Sequence, residues 1–266
     1  ISNRLQLARG PCRGYQRGIT IIPNDDVSEV PFTGKFPSGC AIYALDRAAL
    51  EHNAFTYGLF RSLWSQSGGA LEGTWRVATA PEEQEPLMVF ESSPLADVIT
   101  KINKHSNNVM ARQLLYTLAA ERMGAPGTEE NGRKVVNDWL TARGLHFAEF
   151  RLDNGAGLSR EARLTARHLG DMLRFAYRQP YMPEYVSSMS LSGTDGTLSR
   201  RFRRNGLKGK AHIKTGSLDH VSAIAGYIQA RSGRRFAVVS LHNYTDIHRG
   251  YGEEVQQALL EWLDHQ

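Results

Sequence analysis

The sequence predicts a mixed α/β protein of the α+β kind, an antiparallel sheet flanked by helices, and three observations carry that expectation. From Ala211 the chain reads as three consecutive antiparallel strands, with Ser232 and Gly233 turning a hairpin between Ala223–Ala230 and Arg235–His242. Ahead of them, apolar residues at helical spacing recur from Asp46 to Pro180, and the pattern returns over Gly252–His265. Residues 1–46 resemble neither part, being short apolar pieces broken by Pro11, Pro23, Pro31 and Pro37. They read as a small β-rich segment, so the expected division is 1–46 and 47–266.

At 266 residues, 41% hydrophobic and 22% charged, the chain can bury a full core in one large domain, or in a domain plus a remnant. It holds no transmembrane run. A formal charge of +5 and a pI near 9.3 admit nucleic acid, a membrane surface or a carboxylate-rich wall as partner, without choosing among them. The two cysteines, Cys12 and Cys40, have neither CxxC nor metal spacing. Two free buried thiols are one reading. A disulfide is the favoured one, because the loop-rich segment around them has little core of its own; closing roughly thirty residues would contribute about 3 to 4 kcal/mol. That bridge implies an oxidising compartment such as the periplasm.

Taken in order, Asp46 starts a helical pattern with Leu50, Leu59, Leu63 and Trp64 apolar, stopped by Gly68 and Gly69. Leu71–Val77 and Leu87–Phe90 are strand candidates around a Pro/Glu-rich loop. Ser93 caps a helix with Pro94 at its first position and Leu95, Val98, Ile99 and Ile102 on one face. The next helix, Asn108–Met123, offers Leu114, Leu115 and Leu118 to the core. Thr128–Arg143 follows, with Gly144 placed as a stop, and Thr165 caps a further helix through Leu169, Met172, Leu173 and Ala176. Arg200, Arg201, Arg203, Arg204, Lys208 and Lys210 form one short basic cluster without an interleaved aromatic array, which reads as a solvated face rather than a nucleic-acid footprint. The closing helix turns Val255, Leu259, Leu260 and Leu263 inward.

Chemistry concentrates in two places. Lys214, Thr215, Gly216 and Ser217 set a cation, two hydroxyls and unencumbered backbone on one strand edge, equipment for holding a carboxylate beside a reacting carbonyl. Ser106, Asn107 and Asn108 lie between two helical patterns, and Ser-x-Asn pairs a proton-relaying hydroxyl with an amide that donates and accepts. The bland alternatives are a strand end with a solvated lysine and an ordinary helix N-cap. Asp153–Ser159 is a glycine-rich turn without phosphate-loop context, in which Gly155 or Gly157 needs φ > 0. No HExxH is present, and His212, His220, His242 and His248 are scattered, so neither a metal site nor a cofactor is expected. His105 beside Ser106 lacks an acidic partner for a Ser-His arrangement.

In this order, INKHSNNVMARQLL, LDNGAGLSREARLT, SGTDGTLSRRF and HIKTGSLDHVSAIAGYI resemble the successive blocks of the penicillin-binding and serine β-lactamase superfamily. The chain looks most like its D-alanyl-D-alanine carboxypeptidase/endopeptidase branch, peptidase family S13. That resemblance implies an acyl-enzyme on a D-Ala-D-Ala stem peptide of peptidoglycan, with β-lactam antibiotics acylating the same centre. It implies catalytic roles for Ser106, Asn108 and Lys214, substrate contacts from Thr215, Gly216 and Ser217, and a cleft wall at Gly155 and Gly157. Ala156 stands where many members carry Ser.

The family's nucleophile belongs to a Ser-x-x-Lys motif, and no serine of this chain has a lysine three residues on. The expectation is therefore a C-terminal piece, inactive by itself, whose nucleophile lies outside these residues. Residues 1–46 would be the tail of an inserted domain. An unpaired sheet edge would be covered by an N-terminal segment or by self-association. A non-catalytic module that binds stem peptides is the alternative, and a nucleic-acid-binding protein a distant third.

Overall fold

The computed structural model describes residues 2–12, 18–21, 29–40, 48–79, 85–203 and 206–266. They form two compact units, Ile1–Met88 and Val89–Gln266. The division falls at Met88, beyond the 46/47 boundary that composition suggests.

In the first unit, β1 (Ser2–Ala8), β2 (Ile19–Ile21) and β3 (Pro31–Pro37) make a sheet of order β1-β3-β2. β1 runs parallel to β3 and β2 antiparallel to it. Cys12 and Cys40 are disulfide-bonded, 4.8 Å apart at Cα, linking the stretch after β1 to the end of β3. α1 (His52–Gln66) follows. Asp46, expected to start it, lies outside the described residues. Its Leu59, Leu63 and Trp64 are about half exposed rather than buried.

Neither strand candidate after α1 forms. Leu71–Val77 and the described Leu87–Phe90 are irregular and exposed, because no strand lies beside them, among the described residues, to pair their backbone groups.

The second unit carries α2 (Leu95–His105), α3 (Asn108–Met123), α4 (Glu129–Ala142), α5 (Ala166–Tyr177), α6 (Met182–Ser188) and α7 (Tyr251–Asp264) around a four-stranded antiparallel sheet. The strands are β4 (Ser190–Leu191), β5 (Ala211–Leu218), β6 (Val221–Gln229) and β7 (Arg235–Asn243), in that order. Local chemistry sets the helix ends. The Thr128 and Thr165 hydroxyls accept the N–H groups of Asn131 and His168, as N-caps do. Pro94, not Ser93, takes the cap position of α2.

The strand period of two sorts the core into two layers. Ile213, Ile224, Ile228 and Val238 pack with Leu260 and Leu263 of α7 on one face. Tyr227, with Ala225 and Val239, meets Leu173 and Met189 on the other. Each fully buried Leu or Ile stabilises by roughly 1.5–3 kcal/mol. Gly252 lets α7 start hard against β6, since a Cβ there would lie 2.4 Å from the Ser222 Cβ. Two apolar positions expected inside, Leu118 and Val255, sit instead on the outer sides of α3 and α7.

The basic run is not simply a solvated face. Lys210 and Arg231 both clamp the buried Asp264 carboxylate, at 2.7 Å each. Arg201 is largely buried and donates to the Gln256 amide oxygen at 3.3 Å. Arg204 lies outside the described residues.

Candidate active site

The end of α2 decides where Ser106 goes. Its N–H caps the helix on Ile102 O, and the residue adopts the left-handed conformation, φ 53° and ψ 47°. A non-glycine residue there costs on the order of 1–2 kcal/mol, so the surroundings must hold it. They do. Asn107, not Ser106 or Asn108, is the N-cap of α3, its side chain accepting the Met110 N–H. Ser106 and Asn108 are thereby left on either side of a residue committed to the helix.

Across from them, Lys214 Nζ donates to Ser106 Oγ at 2.8 Å and to Thr215 O at 2.9 Å. Burial depresses the Lys214 ammonium below its usual range. Among the described residues no carboxylate lies within ion-pair distance of it. A cation held without a counter-charge is positive potential available to something else.

β5 presents this lysine on an open edge. β4 pairs with His212 and Ile213, so from Lys214 to Leu218 β5 has, among the described residues, a strand partner on the β6 side alone. Gly216 and Ser217 on that edge are exposed. An extended backbone can be added alongside.

Four further residues, unassigned from sequence, assemble the site. The Thr215 hydroxyl donates to Thr197 Oγ1 at 2.9 Å. Thr197 Oγ1 is 3.2 Å from Ser190 Oγ, which donates to Lys104 O at 3.4 Å. Lys104 Nζ binds Asp195 Oδ2 at 2.5 Å, and Asp195 Oδ1 accepts the Leu191 N–H at 2.8 Å. Burial opposes the charge on Asp195, but the Lys104 and Leu191 hydrogen bonds and the Lys104 cation outweigh it, and its carboxyl titrates below the usual range. Lys104, two residues before Ser106, is thus locked to the Ser192–Thr197 loop. Gly196 makes this fit possible, with φ 53° and a notional Cβ 2.3 Å from Ser190 Oγ. The signal was legible as the SGTDGT block, though not its pairing.

Gly155 and Gly157 both have positive φ, 74° and 78°, as a structural turn requires. The Gly155 Cα faces α3 near Leu115, and Arg160 of the same loop donates to Asp219 O in the β5–β6 turn at 2.9 Å. The loop is therefore tied to both sides of the site. His105 is exposed and takes no part in the contacts that join Ser106 to Lys214.

Two of the scattered histidines do meet. His220 and His248 lie 5.5 Å apart with Asp246 beside them, a grouping with metal-ligand chemistry. Each Nδ1 accepts a backbone N–H, from Asp246 and from His220 respectively, both at 2.9 Å. A neutral ring so engaged carries its proton on Nε2, the tautomer with no lone pair left for an ion. The pair is a turn lock.

A family model described as the D-Ala-D-Ala carboxypeptidase 3 (S13) family matches residues 18–266. The D-alanyl-D-alanine carboxypeptidase of an Actinomadura species is 27% identical over 89% of this chain and 46% of its own length. A D-alanyl-D-alanine carboxypeptidase DacB of Haemophilus influenzae is 25% identical over 76% of the chain and 42% of its own. The chain thus spans less than half the length of these relatives. The crystal structure of penicillin binding protein 4 from Haemophilus influenzae is similar with a TM-score of 0.77 at 21% identity, covering all of this chain and 61% of that one. The chain has the fold of the matching part of that structure.

Proposed function

We propose, for a chain that belongs to the D-Ala-D-Ala carboxypeptidase 3 (S13) family, that it is the C-terminal part of a serine-type D-alanyl-D-alanine carboxypeptidase/endopeptidase acting on peptidoglycan stem peptides. The observation that carries the reading is the 2.8 Å contact between Lys214 Nζ and Ser106 Oγ, which joins two motifs 108 residues apart around a cation with no carboxylate at ion-pair distance among the described residues.

A serine nucleophile supplied from outside these residues attacks the carbonyl of the penultimate D-Ala, and D-alanine leaves. Ser106 relays the proton towards the leaving amine, its hydroxyl kept in line by Lys214. Asn108 holds the substrate amide. The peptide lies along the open edge of β5, against Gly216. Thr215 and Ser217 bind its terminal carboxylate, drawn by the Lys214 charge, and the Ser217 N–H serves the oxyanion. Gly155 and Gly157 line the cleft. β-Lactams enter as carboxylate-bearing acyl donors. The oxidising compartment that the disulfide suits is the periplasm. No cofactor is invoked, and the open β7 edge is covered by a preceding segment or by a second copy.

Because none of the serines here heads Ser-x-x-Lys, a stem-peptide-binding module without turnover is the second reading. Intact mass before and after benzylpenicillin, with peptide mapping, separates them. The expected result is an adduct on the longest natural chain, at a serine outside these 266 residues, and none on this chain alone. No adduct on the longer chain would remove the enzyme reading; an adduct within these residues would overturn the roles given above.

A further inference from the structure

At the end of the sheet away from Ser217 there is a cavity of about 210 Å³ between the last turn of α5 and the start of β7. Arg174, Tyr177 and Arg178 wall it from the helix side, and Tyr227, Arg235 and Ala237 from the sheet. From Ile224, the partner of Thr215, to Gln229, the partner of Arg235, is five strand positions, about 17 Å.

Three guanidinium groups thus border one aromatic-walled hollow, and among the described residues no carboxylate lines it. Arg174 has a loose partner in Asp171 at 3.6 Å, a residue outside the lining. Arg235 donates to the Tyr177 hydroxyl at 2.7 Å, which fixes that oxygen as an acceptor and leaves its proton to donate inward. The Tyr227 hydroxyl is already spent on Leu173 O at 2.6 Å, so its ring serves as a wall.

A second hollow of about 130 Å³ shares Tyr177, Tyr227 and Arg235 with the first and adds His212 and Lys210. There the His212 Nδ1 is buried without a hydrogen-bond partner among the described residues. Burial foremost, then the Lys104 charge, keep this imidazole below its usual range, and the ring bonds the Val186 backbone. Its Nδ1 is therefore an acceptor in need of a donor.

Guanidinium forks pair bidentately with phosphate, and guanidinium groups together with a tyrosine proton on several sides of one hollow match acceptors set in a tetrahedron rather than in one plane. We propose that the two hollows form a binding site for a small phosphate ester carrying hydroxyl groups. Arg178, Arg235 and the Tyr177 hydroxyl hold its phosphate, and one ligand hydroxyl donates to His212 Nδ1. The chemistry of this site is separate from that at Lys214, although His212 lies two residues from that lysine on β5.

Isothermal titration of the longest natural chain with sn-glycerol 3-phosphate and with inorganic phosphate tests it. Saturable binding is expected for both, tighter for the ester. The Arg178→Gln/Arg235→Gln double variant should weaken both at least about tenfold. His212→Phe should bring the ester down to the affinity of phosphate. Circular dichroism melts report whether each variant folds, and the exposed Arg178 and Arg235 make the double variant the safer one. Absence of saturable binding, or binding unchanged in the double variant, would overturn the site. Equal affinity for ester and phosphate in the native protein would overturn the His212 contact. Phosphatidylglycerol vesicles form a separate arm: capture by vesicles lost in the double variant, with no binding of the soluble ester, would overturn the soluble ligand in favour of a lipid headgroup.

Discussion

Replacing Lys214 by Met should separate stability from function. Methionine keeps the length and apolar stem of lysine and deletes the charge. The variant loses the hydrogen bonds to Ser106 Oγ at 2.8 Å and Thr215 O at 2.9 Å, about 1–1.5 kcal/mol each. Against that loss, a half-buried ammonium with no carboxylate at ion-pair distance among the described residues is removed. Relief of its desolvation offsets about the same amount, since the group keeps some water. Net stability should stay within about 1 kcal/mol, a melting shift of no more than about 4 °C for a unit of this size. Losing positive potential at the reacting centre should slow acylation about 10²- to 10³-fold.

The lysine also leaves a pH signature. Burial sets its folded pKa below the ordinary 10.5. Between the two values the unfolded chain holds more protons, so stability rises with pH there. The variant should lose that rise. Urea unfolding from neutral to alkaline pH, paired with stopped-flow acylation of the longest natural chain by a chromogenic β-lactam, reads both effects. A stability loss above about 2 kcal/mol with acylation intact would show Lys214 to be a structural strut and refute the reasoning.

Asp264→Ala removes a carboxylate 1% exposed that accepts from Lys210 twice and Arg231 once. Because both cations can rehydrate, the expected cost is about 3 kcal/mol by urea midpoint, and a cost under about 1 would contradict it. Gly196→Ala places a methyl group 2.3 Å from Ser190 Oγ and 2.7 Å from Lys104 O, at φ 53°. It should destabilise by about 2 kcal/mol or more and move Thr197 off Thr215, lowering β-lactam acylation as well; a fully active variant would mean that the hydroxyl chain is dispensable. The Glu149 carboxyl is held at about 2, first by the His168 ring at 2.6 Å and then by the Thr165 N–H. Its stabilising contribution is complete above the ordinary 4.5 and drains away as pH falls towards 2. Melting curves across that range should be flatter for Glu149→Gln, and parallel curves would count against the pairing.

Much of the second unit was legible in the chain because its signals are local. Thr128 and Thr165 cap helices through bonds to residues three positions on. Ser232 and Gly233 turn their hairpin because Gly233 accepts φ 84°. Where reach was longer, local reading failed. Leu118 and Val255 fit helical spacing, yet both are exposed among the described residues, and a hydrophobic pattern does not say whether a partner surface exists. The same holds for Leu71–Val77, which has strand composition and no neighbour to pair with among the described residues.

Local pattern alone yields the class of the fold and the family resemblance, and it singles out Ser106, Asn108, Lys214, Thr215 and Ser217 as the residues proposed above to carry the chemistry. Packing is what turns Lys214 onto Ser106, with no carboxylate at ion-pair distance among the described residues, and what gives Asn107 the cap and leaves its neighbours for other work. It alone brought Lys104 onto Asp195, and Thr215 onto Thr197. The reason is physical. Caps and turns are made by groups within a few bonds of one another, whereas the electrostatics of a site depend on which charges and hydroxyls meet across 91 or 108 residues of chain. That meeting is set by how β5 and α2 pack, and no local pattern encodes it.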